Sequence, residues 1–171
     1  VLYVSVPDQR LELRQDDVRI AVYPVSTSKF GLGDEPGSNH TPLGLHEVAR
    51  KIGHGAPSGM RFKDRRATGE IVPPEAPGRD PIVTRILWLR GLEAHNAKAF
   101  RRYIYIHGTP EERRVGQPAS YGCIRMRSAD VIELFDRIGP GARVHVITRR
   151  LADLPPPADP GAAPVGGGLP D

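Results

Sequence analysis

The chain of 171 residues has a single cysteine, Cys123. No internal disulfide can form, so the disulfide-framed class of small secreted domains is excluded, although export itself is not. No apolar run approaches membrane-spanning length. There is no H-E-x-x-H and no paired-cysteine spacing, which argues against a metal site, zinc included. Aromatic residues are scarce, at 6%, and no internal repeat is evident. There is no dense basic run and no nucleic-acid motif. The net charge of +4 therefore reads as a mild bias suited to a cell-wall polymer or an acidic peptide rather than to nucleic acid. An initiator methionine is also missing, and the chain opens directly on an alternating strand pattern, as a mature or trimmed sequence would. An export signal is expected to lie outside it.

The length and the 39% of hydrophobic residues suit one domain with its own core. Alternation predicts short strands in VLYVSV, RLELR and VRIAVY, with Leu2, Val4 and Val6, then Leu11 and Leu13, then Val18, Ile20 and Val22 each on one face. Gln15-Asp16-Asp17 is a turn signal, so these strands form a meander. A further strand follows the Pro-Leu-Gly turn of NHTPLGLHEV, and IVTRILWL is another, rich in β-branched residues. RRYIYIH puts Tyr103, Tyr105 and His107 on one face and Ile104 and Ile106 on the other, the core side. SADVIELFDRIG is the one clear helix, with Ser128 as its expected N-cap, and ARVHVI closes the domain. Residues 53–81 are interrupted by Gly and Pro and carry Arg61, Lys63, Arg65 and Arg66. They are expected to be a long insertion and a lid over the site. The expected domain is 1–151, followed by a Pro/Gly/Ala-rich, disordered tail over 152–171.

Chemistry concentrates in YIHGTPEERRVGQPASYGCIRM, residues 105–126. His107 and Cys123 both stand beside glycine at the expected ends of elements. A cysteine just before a helix N-terminus, near Arg125 and Arg127, would favour thiolate, and His107 could serve it as a base. The alternative is a buried cysteine that acts as a small hydrophobe. Residue types and spacing leave both open.

The stretch resembles the catalytic domain of the L,D-transpeptidases, the YkuD family. That family pairs a His-Gly element with Ser/Thr-His-Gly-Cys about fifteen residues on; here these read IHGT at 106–109 and SYGCIRM at 120–126. TPLG at 41–44, VYPVSTS at 22–28 and GPGARVHVI at 139–147 extend the likeness to about residues 1–148. The resemblance implies a mainly β fold with one clear helix, sandwich- or barrel-like. It implies a cysteine acyltransferase that forms a thioester with peptidoglycan stem peptides. The acyl group then passes to an amine, a wall-attached lipoprotein among the acceptors, or to water. The implied catalytic set is Cys123, His107 and Gly108, whose carbonyl orients the imidazole. The implied oxyanion donors are the backbone N–H groups of Tyr121, Gly122 and Cys123. Tyr105, Ser120, Tyr121 and Arg125 are the expected substrate contacts. No cofactor, metal or nucleic acid is implied, and the protein is expected to be a periplasmic or otherwise exported monomer that carbapenems acylate. Tyr121 departs from the family, which usually has histidine there. A non-catalytic peptidoglycan-binding module and a thiol amidase are the other readings on the same fold.

Overall fold

Alternating side chains set the first strands. In the structure, a computed structural model that describes residues 1–78 and 80–159, β1 (Leu2–Ser5), β2 (Arg10–Gln15) and β3 (Val18–Pro24) form the expected antiparallel meander. Asp16 and Asp17 both take positive φ (50° and 63°), the conformation a tight two-residue hairpin turn demands. One expectation fails in β3. Its Val18, Ile20 and Val22 face outward, and Tyr23 with Ala21 faces the core. The register gives the reason: Tyr23 pairs with Leu11 and Ala21 with Leu13, and directly paired residues share a face. The buried leucines of β2 thus decide which side of the edge strand is covered.

The remaining strands are β4 (Gly44–Ile52), β5 (Met60–Lys63), β6 (Arg66–Ile71), β7 (Ile82–Gly91), β8 (Tyr105–Gly108), β9 (Ile124–Met126) and β10 (Arg143–Ile147). They make a mixed ten-stranded sheet in the order β3-β2-β1-β10-β4-β7-β5-β6, from which β8 branches off β7 and carries β9. The one α-helix among the described residues, α1 (Ser128–Arg137), presses Val131, Leu134 and Phe135 onto the sheet. Its main core partners include Leu87, Leu89, Ile106 and Ile124. The fold is mainly β, as expected.

Two regions depart from their sequence reading. Within 53–81, β5 and β6 pair as a hairpin that continues the sheet from β7. Every residue of β6 is exposed, so no apolar alternation announces it. The segment 151–158 packs on the domain: Leu151 and Leu154 are buried, Arg14 Nη1 donates to Pro155 O at 2.7 Å, and Ala158 N–H donates to Asp17 O at 2.7 Å. The first residues of the expected tail are therefore ordered against β2 and its turn, and the disorder expected over 160–171 falls outside the described residues.

β7 is the strand that positions the site. It pairs with β4 and β5 on one edge and β8 on the other, and its register shifts between Val83 and Ile86. At this bulge buried Thr84 has φ +77°, which is unusual for a β-branched residue. Its hydroxyl accepts from Gly59 N–H at 3.0 Å and lies 2.6 Å from Ser128 Oγ, tying the bulge to the segment before β5 and to the helix start.

Candidate active site

His107 lies on β8 and Cys123 immediately before β9, and the parallel pairing of those strands sets His107 opposite Arg125. Both residues line one small cleft of about 120 Å3 with Asp80, Ile82, Tyr121 and Arg125. The parity of β8 is as expected: Ile104 and Ile106 enter the main core, while Tyr105 joins a second apolar cluster with Phe62, Ile86 and Trp88, against which Cys123 packs. Tyr103 precedes the strand with φ +57° and stays half exposed.

The imidazole is fixed from one side. His107 is buried, and its Nδ1 lies 2.7 Å from Gly108 O. A carbonyl only accepts, so Nδ1 carries the hydrogen and Nε2 keeps the lone pair. Gly108 is glycine for want of space, since a Cβ there would stand 2.6 Å from Val83 O. The sulfur is held by backbone: Tyr105 N–H donates to it at 3.4 Å, and the thiol donates to Tyr103 O at 3.4 Å. Among the described residues no hydrogen bond joins the imidazole to the sulfur.

The electrostatics reverse one expectation. β9 intervenes between Cys123 and α1, so the cysteine does not sit at the helix N-terminus. That terminus is occupied by Glu112, whose Oε1 accepts from Ser128 N–H at 3.0 Å, while the N-cap residue is Arg127 rather than Ser128. Burial pushes the Cys123 thiol up to about 11, against the opposing pull of Tyr105 N–H, Arg125 and Arg102. The residue keeps partial access to solvent, so water in the cleft moderates that push. Burial also holds His107 below its ordinary value; the Gly108 carbonyl and Asp80 raise it, and Arg125 lowers it. The resting pair is thus thiol and neutral imidazole, not thiolate and imidazolium.

The other expected site residues divide. Tyr121 is 57% exposed and lines the cleft. Arg125 lines it too, but its guanidinium already pairs with Asp80 at 2.8 Å and Glu111 at 3.5 Å. Tyr105 offers the sulfur its N–H and turns its ring toward a neighbouring cleft of about 280 Å3 shared with Phe62, Arg65, Ile82 and Tyr103. Ser120 is not a substrate contact. It is fully buried, donates to Cys123 O at 2.5 Å and accepts from Gly122 N–H at 3.2 Å, so it braces the cysteine turn. Gly122 N–H is therefore taken and is no oxyanion donor, whereas among the described residues the N–H groups of Tyr121 and Cys123 have no acceptor. Gly122 itself answers a backbone need: its φ is +119°, and a Cβ would stand 3.2 Å from His40 O.

Sequence reasoning missed Asp80. It enters the cleft from the end of the 53–81 segment, bonds Thr109 Oγ1 and pairs with Arg125. Its neighbours in sequence are Gly, Pro and Arg, so only the two-residue distance of Thr109 from His107 hinted at it.

The family model for YkuD, the L,D-transpeptidase catalytic domain, matches residues 1–146. The chain is 26% identical over 154 residues to "Probable L,D-transpeptidase YcfS" of Escherichia coli K12, covering 85% of this chain and 46% of that one. It is 32% identical over 141 residues to "Probable L,D-transpeptidase YbiS" of the same strain, covering 77% and 42%. Thus it spans less than half the length of these relatives. L,D-transpeptidase 3 from Mycobacterium tuberculosis, solved in complex with a faropenem-derived adduct, shares the fold with a TM-score of 0.54 at 16% identity, over 85% of this chain and 58% of that one. The matched span contains the whole cleft, and this chain belongs to the YkuD family of L,D-transpeptidase catalytic domains.

Proposed function

We propose that the protein is a cysteine-dependent L,D-transpeptidase of peptidoglycan stem peptides, working through a thioester. The observation that carries this reading is the shared cleft of Cys123 and His107, with Nδ1 anchored on Gly108 O and Nε2 left as the acceptor. As the Cys123 sulfur bonds to the scissile carbonyl carbon, its proton passes to Nε2 of His107. The carbonyl oxygen becomes an oxyanion facing the N–H groups of Cys123 and Tyr121. The C–N bond then breaks, and the departing D-residue amine takes the proton from His107. An incoming amine repeats the steps in reverse: it gives a proton to His107, forms the new amide and expels the sulfur, which is reprotonated. Water in place of the amine makes the same machinery a carboxypeptidase. Because thiol and imidazole rest neutral, the proton moves during attack and not before it.

Tyr121 walls the cleft in this reading and does not act as the base, since a phenol ordinarily titrates near 10. Residues 53–81 flank the site as a lid: Arg65, in the β5–β6 turn, lies over the rings of Tyr103 and Trp88 at 4.8 and 5.2 Å and donates to Tyr105 OH at 3.4 Å. A peptidoglycan substrate places the protein outside the cytoplasmic membrane, where a diaminopimelate side chain, a wall-bound lipoprotein lysine or a free D-amino acid could accept the acyl group, and we read it as working as a monomer. No helix among the described residues is long and apolar enough to cross a membrane.

Incubation with faropenem, or with a carbapenem, should raise the intact mass by one adduct that is absent from Cys123→Ala. Mass spectrometry of stem peptides should show crosslinked or shortened products. A folded protein that gives neither adduct nor product is a binding module instead. Cleavage of a preformed crosslink or lipoprotein bond, without transfer, would make it a thiol amidase.

A further inference from the structure

The segment after β3 is laced onto the cysteine loop. Ser26 bridges Arg125, Ser28 bridges Ser120, and Lys29 N–H donates to Ser120 O at 3.0 Å. These bonds set Lys29 beside Tyr121. The ammonium lies 4.6 Å from the centre of the Tyr121 ring and 5.1 Å from that of Phe30, and it donates to Tyr121 OH at 3.2 Å. Rings and a phenol oxygen fix the position of a cation without neutralising it.

The charges around it are unbalanced. Lys29 and Tyr121 line a cleft of about 400 Å3 together with Asp80, Glu111, Arg114 and Arg125. Three of these residues, Asp80, Tyr121 and Arg125, also line the cysteine cleft, so the two spaces adjoin. Both acids are engaged: Asp80 with Arg125 at 2.8 Å, and Glu111 with Arg125 at 3.5 Å and Arg114 at 3.8 Å. Among the described residues no carboxylate pairs with Lys29. An oriented ammonium therefore faces a cleft whose own acids are already matched.

We propose that Lys29, oriented by Tyr121 and Phe30, recognises a free carboxylate on the ligand whose carbonyl is presented to Cys123. The peptide nature of that ligand rests on the function proposed above; the need for a negative charge does not. Two carboxylates of a stem peptide fit this chemistry, the terminal α-carboxylate of the residue that leaves and the side-chain carboxylate of the preceding diamino acid. The proposal also gives Tyr121 a purpose in place of the usual histidine, because its hydroxyl accepts from the ammonium.

Calorimetric binding to Cys123→Ala protein separates recognition from turnover. The probes are three synthetic tetrapeptides, one with both carboxylates free, one with the terminal carboxylate as amide, and one with the diamino-acid carboxylate as amide. One of the two amides should bind about tenfold more weakly than the free peptide, and that one names the source. Lys29→Met should weaken the free peptide by a similar factor, and the two losses should not add, because they remove opposite partners of one contact. Tyr121→Phe should give a smaller loss. An unchanged thermal midpoint and circular-dichroism spectrum in Lys29→Met show that the variant folds. Equal binding of all three peptides, full non-amidated affinity in Lys29→Met, additive losses, or no binding at all would overturn the proposal. Absence of adduct and turnover in the wild type, with the charge discrimination intact, would instead sink the enzymatic reading alone.

Discussion

The cysteine cleft adjoins two others that are built from different materials. Through Ile82 it meets a space walled by Phe62, Tyr103 and Tyr105, with Trp88 behind at 5.6 to 5.8 Å from the tyrosine rings, edge-on to Tyr105 and tilted to Tyr103. Through Asp80, Tyr121 and Arg125 it meets a space walled by charges. The aromatic side fixes the sulfur, by the backbone of Tyr103 and Tyr105, and makes its ionisation costly by excluding water. The charged side adjusts the His107 imidazole beside the larger effect of its burial, because Asp80 favours an imidazolium and Arg125 disfavours it. Reactivity in the proposed function is a matter of where the proton is allowed to go, and Cys123 does not stand at the first turn of α1.

The sharpest way to break this division of labour is to remove the reacting groups. Cys123→Ala should abolish adduct and product, and His107→Ala should lower kcat/KM for stem peptides by about a thousandfold. Near wild-type turnover in His107→Ala would assign the base elsewhere. A smaller loss is expected from Gly108→Ala, where the added Cβ meets the Val83 carbonyl at 2.6 Å. Overpacking against backbone should cost about 1–3 kcal/mol, read as a lower denaturation midpoint. An unchanged midpoint would mean that β7 yields easily at its bulge.

Asp80→Asn tests the charged side alone. Without the carboxylate, Arg125 faces the imidazole less opposed, so the His107 pKa should fall further. A weaker base should lower kcat/KM by up to roughly tenfold. The acid limb of the pH profile should move down at the same time. A rate loss with an unmoved limb would make Asp80 a structural tether for Arg125 and Thr109.

How much of this the sequence disclosed follows from what each feature depends on. Strands with one buried face were legible, because Leu2, Val4, Leu11 and Leu13 alternate as the core requires. That His107 and Cys123 line one cleft was legible through their flanking glycines and the family pattern. The β5–β6 hairpin was not, because β6 buries nothing and its Asp64-Arg65 turn, with φ of 48° and 64°, lacks a glycine. The facing of β3 was hidden because it belongs to its partner's register. Ser120, Asp80 and Lys29 were misread or missed for a common reason. Their roles are set by hydrogen bonds and charge pairs across loops, and such partners leave no period in the chain.

The smallest expected effect concerns stability, and it sets the buried site against the sheet. Burial holds His107 below 6.5, and it does the same to His46, fully buried on β4, and to half-buried His145 on β10. In the unfolded chain each of these imidazoles takes up its proton near 6.5, before the folded protein does. The unfolded state then binds more protons, so stability falls as pH falls. The contribution is complete above about 6.5, is lost on acidification from there down to the lower folded values, and changes no further below them. The melting temperature should therefore decline from pH 8 to pH 5. In His107→Gln the decline should be shallower, leaving the share of His46 and His145. A melting temperature that stays level across that range, or the same slope in His107→Gln, would show that the cleft histidine titrates as freely folded as unfolded, and the neutral resting pair would have to be given up.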